Sequence, residues 1–240
     1  MVKGDGKYAD FSTPFILGVE IYRNDVIISF MSTEQKINNY KWIPFITYAL
    51  IGINVIVFLY EELSGGSENL ETAINFGALY SPYVIFYGEI YRIFTSIFLH
   101  FGIEHLGANM ISLCAIGPYV EHYFGHFLFL VLYIFSGIIG NMVSMFFEWN
   151  SGVFNISAGA SGAIFGLLSV FILFAMNPKL RRVFPIQRVI LSIFLSLAAG
   201  INDPSIDFAA HFGGLVGGLV LAFIMQEIIR FSLRRERMTN

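Results

Sequence analysis

Long apolar segments repeat along this chain and restrict the folds it can adopt. A helix that crosses the hydrocarbon core of a bilayer needs about 20 mostly apolar residues. Six segments approach or reach that length, at residues 43–60, 105–121, 126–147, 158–176, 187–201 and 208–229. Of the 240 residues, 56% are hydrophobic and only 13% are charged, whereas about a quarter are charged in soluble domains. The sequence therefore predicts an all-α, polytopic membrane protein built as a bundle of six transmembrane helices.

Two shorter regions flank the predicted bundle. Residues 1–41 contain an apolar run that Glu20 and Arg23 interrupt, so we interpret this region as non-spanning. Residues 230–240 are rich in arginine, which is typical of a segment that ends membrane insertion and contacts anionic lipid. We therefore divide the chain into a short N-terminal region, a membrane domain at 42–229 and a basic tail.

Positive charges are distributed unequally over the two predicted faces. If the apolar segments alternate across the bilayer, all 14 lysine and arginine residues except Arg92 fall on the side that holds both termini. Loops on the cytoplasmic side carry the excess of positive charge. We expect a multi-pass protein of the cell membrane with both termini cytoplasmic, although an organelle membrane stays open. A net charge of −3 gives no electrostatic argument for binding nucleic acid.

Polar residues gather near the predicted outer ends of three of these segments. They are His105 and Asn109 in the second segment, Ser161 in the fourth and His211 in the sixth. Polar and ionisable groups inside a membrane are costly and usually mark a functional site. With a rise of about 1.5 Å per residue, Ser161 and His211 are expected roughly one turn below their helix starts, where water can still reach them.

Ser161 and His211 together indicate a nucleophile with its base, because serine is a weak nucleophile without an adjacent base. Gly214 and Gly218 follow His211 on the same helix face and form a small-xxx-small contact surface. The face that carries Ser161 is also rich in small residues, so close approach of the two helices would bring hydroxyl and imidazole together. Alone, the serine could simply bond a backbone carbonyl, and the histidine could serve packing, proton relay or metal binding.

His105 and Asn109 are four residues apart and share one helix face. Both side chains could donate hydrogen bonds to a developing oxyanion, or they could instead hold helices together. A zinc triad made of two histidines plus His211 is less favoured, because no carboxylate or cysteine is suitably placed and no His-Glu-x-x-His pattern occurs. No metal and no cofactor is predicted. Asp207, four residues before His211, is better explained as a carboxylate at a helix start than as a catalytic acid.

The motifs around these residues resemble a known family. They closely resemble the signature of rhomboid intramembrane serine proteases, and the resemblance covers about residues 43–229. It also includes the segment before the second apolar stretch, in which Tyr91 stands where many members carry tryptophan. The segments that carry the resemblance are His105-Leu106-Gly107-Ala108-Asn109, Gly159-Ala160-Ser161-Gly162, Ala210-His211-Phe212-Gly213-Gly214 and the run from Tyr91 to His100.

The resemblance implies a fold, a site and a reaction. It implies a six-helix bundle with a Ser161–His211 dyad, and an oxyanion site formed by His105, Asn109 and the Ser161 amide. Gly159, Phe165, Gly214 and Gly218 would support the dyad, with Phe165 against the imidazole. The implied reaction is cleavage of transmembrane helices, in single-span protein substrates within the bilayer, near its outer face.

A second hypothesis from another class stays open. A catalytically silent relative could bind transmembrane helices as an adaptor or quality-control factor. Such proteins usually lack the serine or the histidine, whereas this chain has both Ser161 and His211. A transporter is less favoured, because the polar residues do not extend into the inner half of the predicted bundle. The physiological substrate and the oligomeric state are left open by the sequence.

Overall fold

A computed structural model of the protein describes residues 42–201 and 206–239. The predicted N-terminal region at 1–41 lies outside the described residues. The helices of the described part are α1 (Phe45–Leu63), α2 (Leu70–Phe76), α3 (Ser81–Tyr87), α4 (Arg92–Thr95), α5 (Gly102–Phe124), α6 (His126–Ser151), α7 (Ser161–Met176), α8 (Ile186–Ile201) and α9 (Phe208–Thr239). A 3₁₀ turn, Ser96–Phe98, follows α4, and two short strands, β1 (Leu79–Tyr80) and β2 (Ile156–Ser157), pair antiparallel.

The helices confirm the predicted all-α membrane class. Within the described residues, α1, α6 and the Phe208–Phe231 part of α9 are long and apolar enough to cross a membrane. The segment Arg92–Phe98 and α5 would add one further span if this bent pair is counted together. Helices α7 and α8 are apolar but have only 16 residues each. The count of six transmembrane helices therefore stays a prediction.

Some helix boundaries differ from the predicted segments. Helix α5 begins at Gly102 rather than 105, and α6 continues to Ser151 rather than ending at 147. The basic tail predicted at 230–240 continues α9 as far as Thr239. Arginine and glutamate are good helix formers, so the change from apolar to charged composition does not end this helix.

Helix α7 lies at the centre of the fold. Most of its residues are buried, and it packs against both α6 and α9, which also contact each other extensively. The main hydrophobic core runs between these helices and α5, and it includes Leu113, Phe129 and Leu167. Helix α7 is thus surrounded by protein along most of its length.

Glycines allow the backbones of α7 and α9 to approach each other closely. A Cβ atom added at Gly214 would overlap the Gly162 carbonyl oxygen, and one added at Gly218 would lie 2.7 Å from the Gly166 carbonyl oxygen. A methyl group at either position would therefore meet backbone atoms, not a side chain that can rotate away. The predicted small-residue surface on α9 has its partner in the glycines of α7.

The segment between α1 and α5 is held together by Arg92. This arginine is buried, and its guanidinium donates to the backbone carbonyls of Ile74 and Ala78, at 2.7 and 3.0 Å. It also pairs with Glu89 at 2.6 Å. Sequence analysis singled out Arg92 as the one positive charge away from the predicted cytoplasmic side, and the structure shows that it binds carbonyls of its own segment.

Replacing Gly218 with alanine should destabilise the bundle, because the added methyl group meets the backbone of Gly166 on α7. Overpacking of this kind costs about 1–3 kcal/mol, so we expect a lower midpoint of thermal unfolding for detergent-purified protein. Gly52→Ala is the matched control, since a methyl group there meets nothing within 4 Å. Equal midpoints for the two variants would contradict the close packing of α7 and α9.

Candidate active site

Ser161 is the first residue of α7, preceded by a sharp backbone turn. The expectation that it lies one turn inside a helix starting at 158 is wrong, because Gly159 has a φ of +136° that cannot continue a helix. The Gly159 amide donates to the Ser96 carbonyl at 2.9 Å, and β2, just before it, pairs with β1. The chain is therefore held in place immediately before it presents Ser161.

His211 lies in the first turn of α9, close to Ser161. Its Nε2 atom is 2.8 Å from Ser161 Oγ, within hydrogen-bond distance. For the serine hydroxyl to donate to Nε2, the proton of the neutral imidazole must be on Nδ1. The structure thus brings together the two residues that the sequence paired as nucleophile and base.

An aromatic ring contacts the imidazole of His211, and no carboxylate of the described residues bonds to its Nδ1 atom. The ring of Phe165 stacks on the His211 ring, with centroids 4.5 Å apart and planes 25° from parallel. The Nδ1 atom is buried and has no hydrogen-bond partner among the described residues. The backbone of α8 also lies close to this atom, since a Cβ atom added at Gly200 would be 3.8 Å from Nδ1. The orientation of the imidazole therefore depends on its packing against Phe165 and on the Ser161 contact.

The Asp207 carboxylate accepts hydrogen bonds from a backbone amide and from two serine hydroxyls. Its Oδ1 accepts from the Ala210 amide at 2.9 Å, which is the contact expected of a residue that caps a helix N-terminus. Its Oδ2 accepts from the hydroxyls of Ser144 and Ser157, at 2.6 and 2.8 Å. The interpretation of Asp207 as a helix-start carboxylate agrees with this geometry.

His105 lies beside the nucleophile, and Asn109 lies one turn further along α5. A Cβ atom added at Gly159 would be 2.9 Å from His105 Nε2 and 3.6 Å from Ser161 Oγ, so ring and hydroxyl border the same small space. The buried Asn109 amide donates to the His105 carbonyl at 3.0 Å. An amide nitrogen carries two hydrogens, and this bond uses one of them.

Sequence reasoning missed several residues that hold this site. Asn141 of α6 donates to the Ser96 hydroxyl at 2.9 Å and to the Ile93 carbonyl at 2.8 Å. His100 is fully buried, and its ring lies edge-on to that of His105 with centroids 5.1 Å apart. A polar asparagine inside an apolar segment was the available signal for Asn141. Its partners were not predictable, because they are separated from it by more than 40 residues.

Metal binding has no support in the arrangement of donor side chains. Among the described residues, no group of three or more histidine, cysteine, aspartate or glutamate side chains could hold a metal ion. Cys114 is a free thiol that is exposed on α5. The polar chemistry of the described site therefore consists of hydroxyl, imidazole, amide and carboxylate groups.

The fold and the site define a class, a multi-pass α-helical membrane protein in which a serine and a histidine lie within hydrogen-bond distance. Comparison with known proteins identifies the family. Residues 87–228, more than half of the chain, match the Rhomboid domain family model. The putative rhomboid protease YdcA of Bacillus subtilis is 30% identical over 201 residues, which cover 81% of this chain and 95% of YdcA. The chain belongs to the rhomboid family.

Two further relatives are longer than this chain. Rhomboid protease GluP of Bacillus subtilis is 37% identical over 180 residues, which cover 75% of this chain and 34% of GluP. RHOMBOID-like protein 1 of Arabidopsis thaliana is 38% identical over 151 residues, covering 62% of this chain and 38% of that protein. The chain thus spans little more than a third of the length of these two relatives.

Replacing Phe165 with leucine should slow the reaction of Ser161 with a fluorophosphonate, because the imidazole loses its stacking partner. Aromatic pairs contribute about 0.5–1.5 kcal/mol, so the labelling rate should fall by up to about tenfold. Phe171→Leu is the matched control: Phe171 is similarly buried on the same helix, but makes edge-to-face contacts with Tyr119 and Phe184 and does not contact His211. Equal labelling rates for both variants would contradict an orienting role for Phe165.

Proposed function

We propose that this protein is an intramembrane serine endopeptidase that cleaves transmembrane helices of membrane proteins near the outer face of the bilayer. The observation that carries the proposal is the 2.8 Å contact between Ser161 Oγ and His211 Nε2, at the ends of two apolar helices. Membership of the rhomboid family, and the protease names of GluP and YdcA, support the same reaction class.

The proposed reaction has two steps that use one base. Ser161 Oγ attacks the carbonyl carbon of the substrate peptide bond while His211 Nε2 takes the hydroxyl proton. The imidazolium then gives this proton to the leaving amine, which departs and leaves an acyl ester on Ser161. A water molecule gives a proton to His211 and attacks the ester, and the serine recovers its hydroxyl hydrogen from the imidazolium.

We assign the oxyanion site to His105, Asn109 and the backbone amide of Ser161. The first amides of a helix have no intrahelical acceptor, and Ser161 is the first residue of α7. The positive end of the helix dipole also lies there and favours a negative charge. The His105 ring borders the same space as the hydroxyl, so this arrangement supports its role as a donor to the tetrahedral intermediate.

The supporting roles follow from the packing around the dyad. Phe165 orients the imidazole by stacking, since no carboxylate among the described residues contacts Nδ1. Gly159 leaves room for the His105 ring, and Gly214 and Gly218 let α9 approach α7. We propose that these four residues maintain the distance between base and nucleophile.

The substrates that fit this site are single-span membrane proteins. A helix in the bilayer could reach the dyad from the lipid, and would have to unwind so that its carbonyl carbon meets Ser161. We assign this activity to a membrane domain at 42–229, flanked by the regions 1–41 and 230–240. The unequal distribution of lysine and arginine supports cytoplasmic termini in a cell membrane. The dyad would then lie towards the outer face.

Cleavage of a reporter tests the dyad. Purified wild type should cut a single-span protein with small residues near its outer boundary, in liposomes. Ser161→Ala and His211→Ala should each lower the rate by at least about 10³-fold, because nucleophile and base act as a unit. Ser169→Ala, which removes a buried α7 hydroxyl that bonds the Gly166 carbonyl, is the control and should keep activity.

The opposite result would favour a different function. If folded wild-type protein cleaves none of several reporters, the protein is better described as a helix-binding adaptor. Co-purification of uncut reporter with wild type and with Ser161→Ala to the same extent would then be the expected observation.

Asn109→Ala should lower kcat by about 10²–10³-fold with little change in KM, because an oxyanion donor acts in the transition state. Asn150→Ala is the matched control, since Asn150 also donates to the carbonyl four residues earlier, at 2.6 Å, but lies at the end of α6. A raised KM with unchanged kcat in Asn109→Ala would show that this amide binds substrate and does not stabilise the oxyanion.

A further inference from the structure

The segments leading to Ser161 and to His211 are joined by a side-chain hydrogen bond. Ser157 stands four residues before Ser161, and Asp207 stands four residues before His211. The Ser157 hydroxyl donates to Asp207 Oδ2 at 2.8 Å. The two residues are 50 positions apart in sequence. This bond is therefore a tertiary contact between the segment that precedes Ser161 and the segment that precedes His211.

A third element is bound to the same oxygen. Ser144 of α6 is buried, and its hydroxyl donates to Asp207 Oδ2 at 2.6 Å. Since α6 packs along both α7 and α9, this bond fixes the carboxylate relative to the rest of the bundle. Asp207 Oδ2 is therefore the common acceptor for α6 and for the segment before α7.

The other oxygen of the carboxylate binds the first turn of α9. Asp207 Oδ1 accepts from the Ala210 amide at 2.9 Å, and the Asp207 carbonyl accepts from the His211 amide at 3.1 Å. The turn that carries the imidazole is thus attached to Asp207 at two points. Any rotation of this turn would move His211 and would strain the bonds to Ser144 and Ser157.

Among the described residues, the Asp207 carboxylate makes no hydrogen bond to the imidazole. The Nδ1 atom of His211 is buried without a partner among the described residues, and the hydrogen bonds of the carboxylate within the same part of the chain go to other groups. A proton relay through a hydrogen bond between this carboxylate and the imidazole is therefore not part of the described arrangement. Through its hydrogen bonds, the carboxylate holds the first turn of α9 in place relative to Ser161.

We propose that Asp207 is a positioning residue, whose carboxylate links the Ser157 segment to the first turn of α9 and so maintains the contact between Ser161 and His211. This role rests on the proposed function, because it concerns the geometry of the same dyad. It differs from simple helix capping, since it requires Oδ2 and the Ser157 hydroxyl as well as Oδ1.

The chemistry of the side chain separates these two roles. An ionised carboxylate accepts hydrogen bonds at both oxygens, whereas an asparagine amide has one acceptor and one donor group. Asparagine caps helices about as well as aspartate, so Asp207→Asn retains the bond to the Ala210 amide. It replaces Oδ2 with an amide nitrogen that cannot accept from the Ser157 and Ser144 hydroxyls, so these contacts persist only if both hydroxyls turn and accept from the amide.

The test compares Asp207→Asn, Ser157→Ala and the double variant, using kcat and KM for the reporter and thermal midpoints. We expect each single variant to lower kcat by about 10- to 100-fold, as for a small misplacement of catalytic groups, with KM within about twofold of wild type. The double variant should lose no more than Asp207→Asn, because both changes act on the same contact between Ser157 and residue 207. Ser112→Ala, which removes an exposed α5 hydroxyl bonded to its own helix, should keep wild-type kcat.

Several outcomes would overturn the positioning role. Wild-type kcat in both single variants would reduce Asp207 to a helix cap, and losses that multiply in the double variant would show that the two residues act separately. A fall in kcat that matches the loss of folded protein would leave only a structural role. If wild type cleaves no reporter and a fluorophosphonate does not label Ser161, the proposed function itself fails, and the positioning role fails with it.

Discussion

The close backbone contact between α7 and α9 is the interaction on which the rest of the described structure depends. Helices in lipid gain little from the hydrophobic effect, so their association relies on packing and on interhelical hydrogen bonds. Gly214 meets the backbone of Gly162, and Gly218 meets that of Gly166. Because Ser161 directly precedes this contact on α7, and His211 is one turn before it on α9, the same contact brings Oγ and Nε2 to 2.8 Å. A larger residue at one of these glycine positions would separate Ser161 Oγ from His211 Nε2.

The polar groups around the dyad form a connected set that restrains this arrangement. An unpaired polar group in an apolar environment costs several kcal/mol, so most buried hydroxyls and amides have hydrogen-bond partners. Here Asp207 binds Ser144 and Ser157, while Asn141 binds Ser96, whose carbonyl accepts from the Gly159 amide. These bonds connect α6, the 3₁₀ turn and the chain segments that directly precede Ser161 and His211. The imidazole itself is in contact with the stacked Phe165 ring and with the Ser161 hydroxyl.

The sequence predicted most of the long apolar helices, but it predicted the short segments that join them less well. Hydrophobic length predicted α1, α6 and the apolar part of α9, and the combination of motifs singled out Ser161, His211 and His105, which the structure brings together. The start of α7 was wrong, because an apolar run does not reveal the positive φ of Gly159 that delays the helix. The pairing of β1 with β2 was missed as well, since strands of two residues carry no periodic signal.

The sequence by itself determined the membrane class, the apolar helices and the identity of the polar residues near their ends. These properties depend on local composition and on the length of hydrocarbon a helix must cross. Only the tertiary structure decided that Asp207 binds two serines and not the imidazole, and that Phe165 stacks on the imidazole of His211. The reason is that contacts between residues some 50 positions apart depend on how closely the helices pack. Helix separation is set by facing pairs such as Gly162 and Gly214, which no single segment contains.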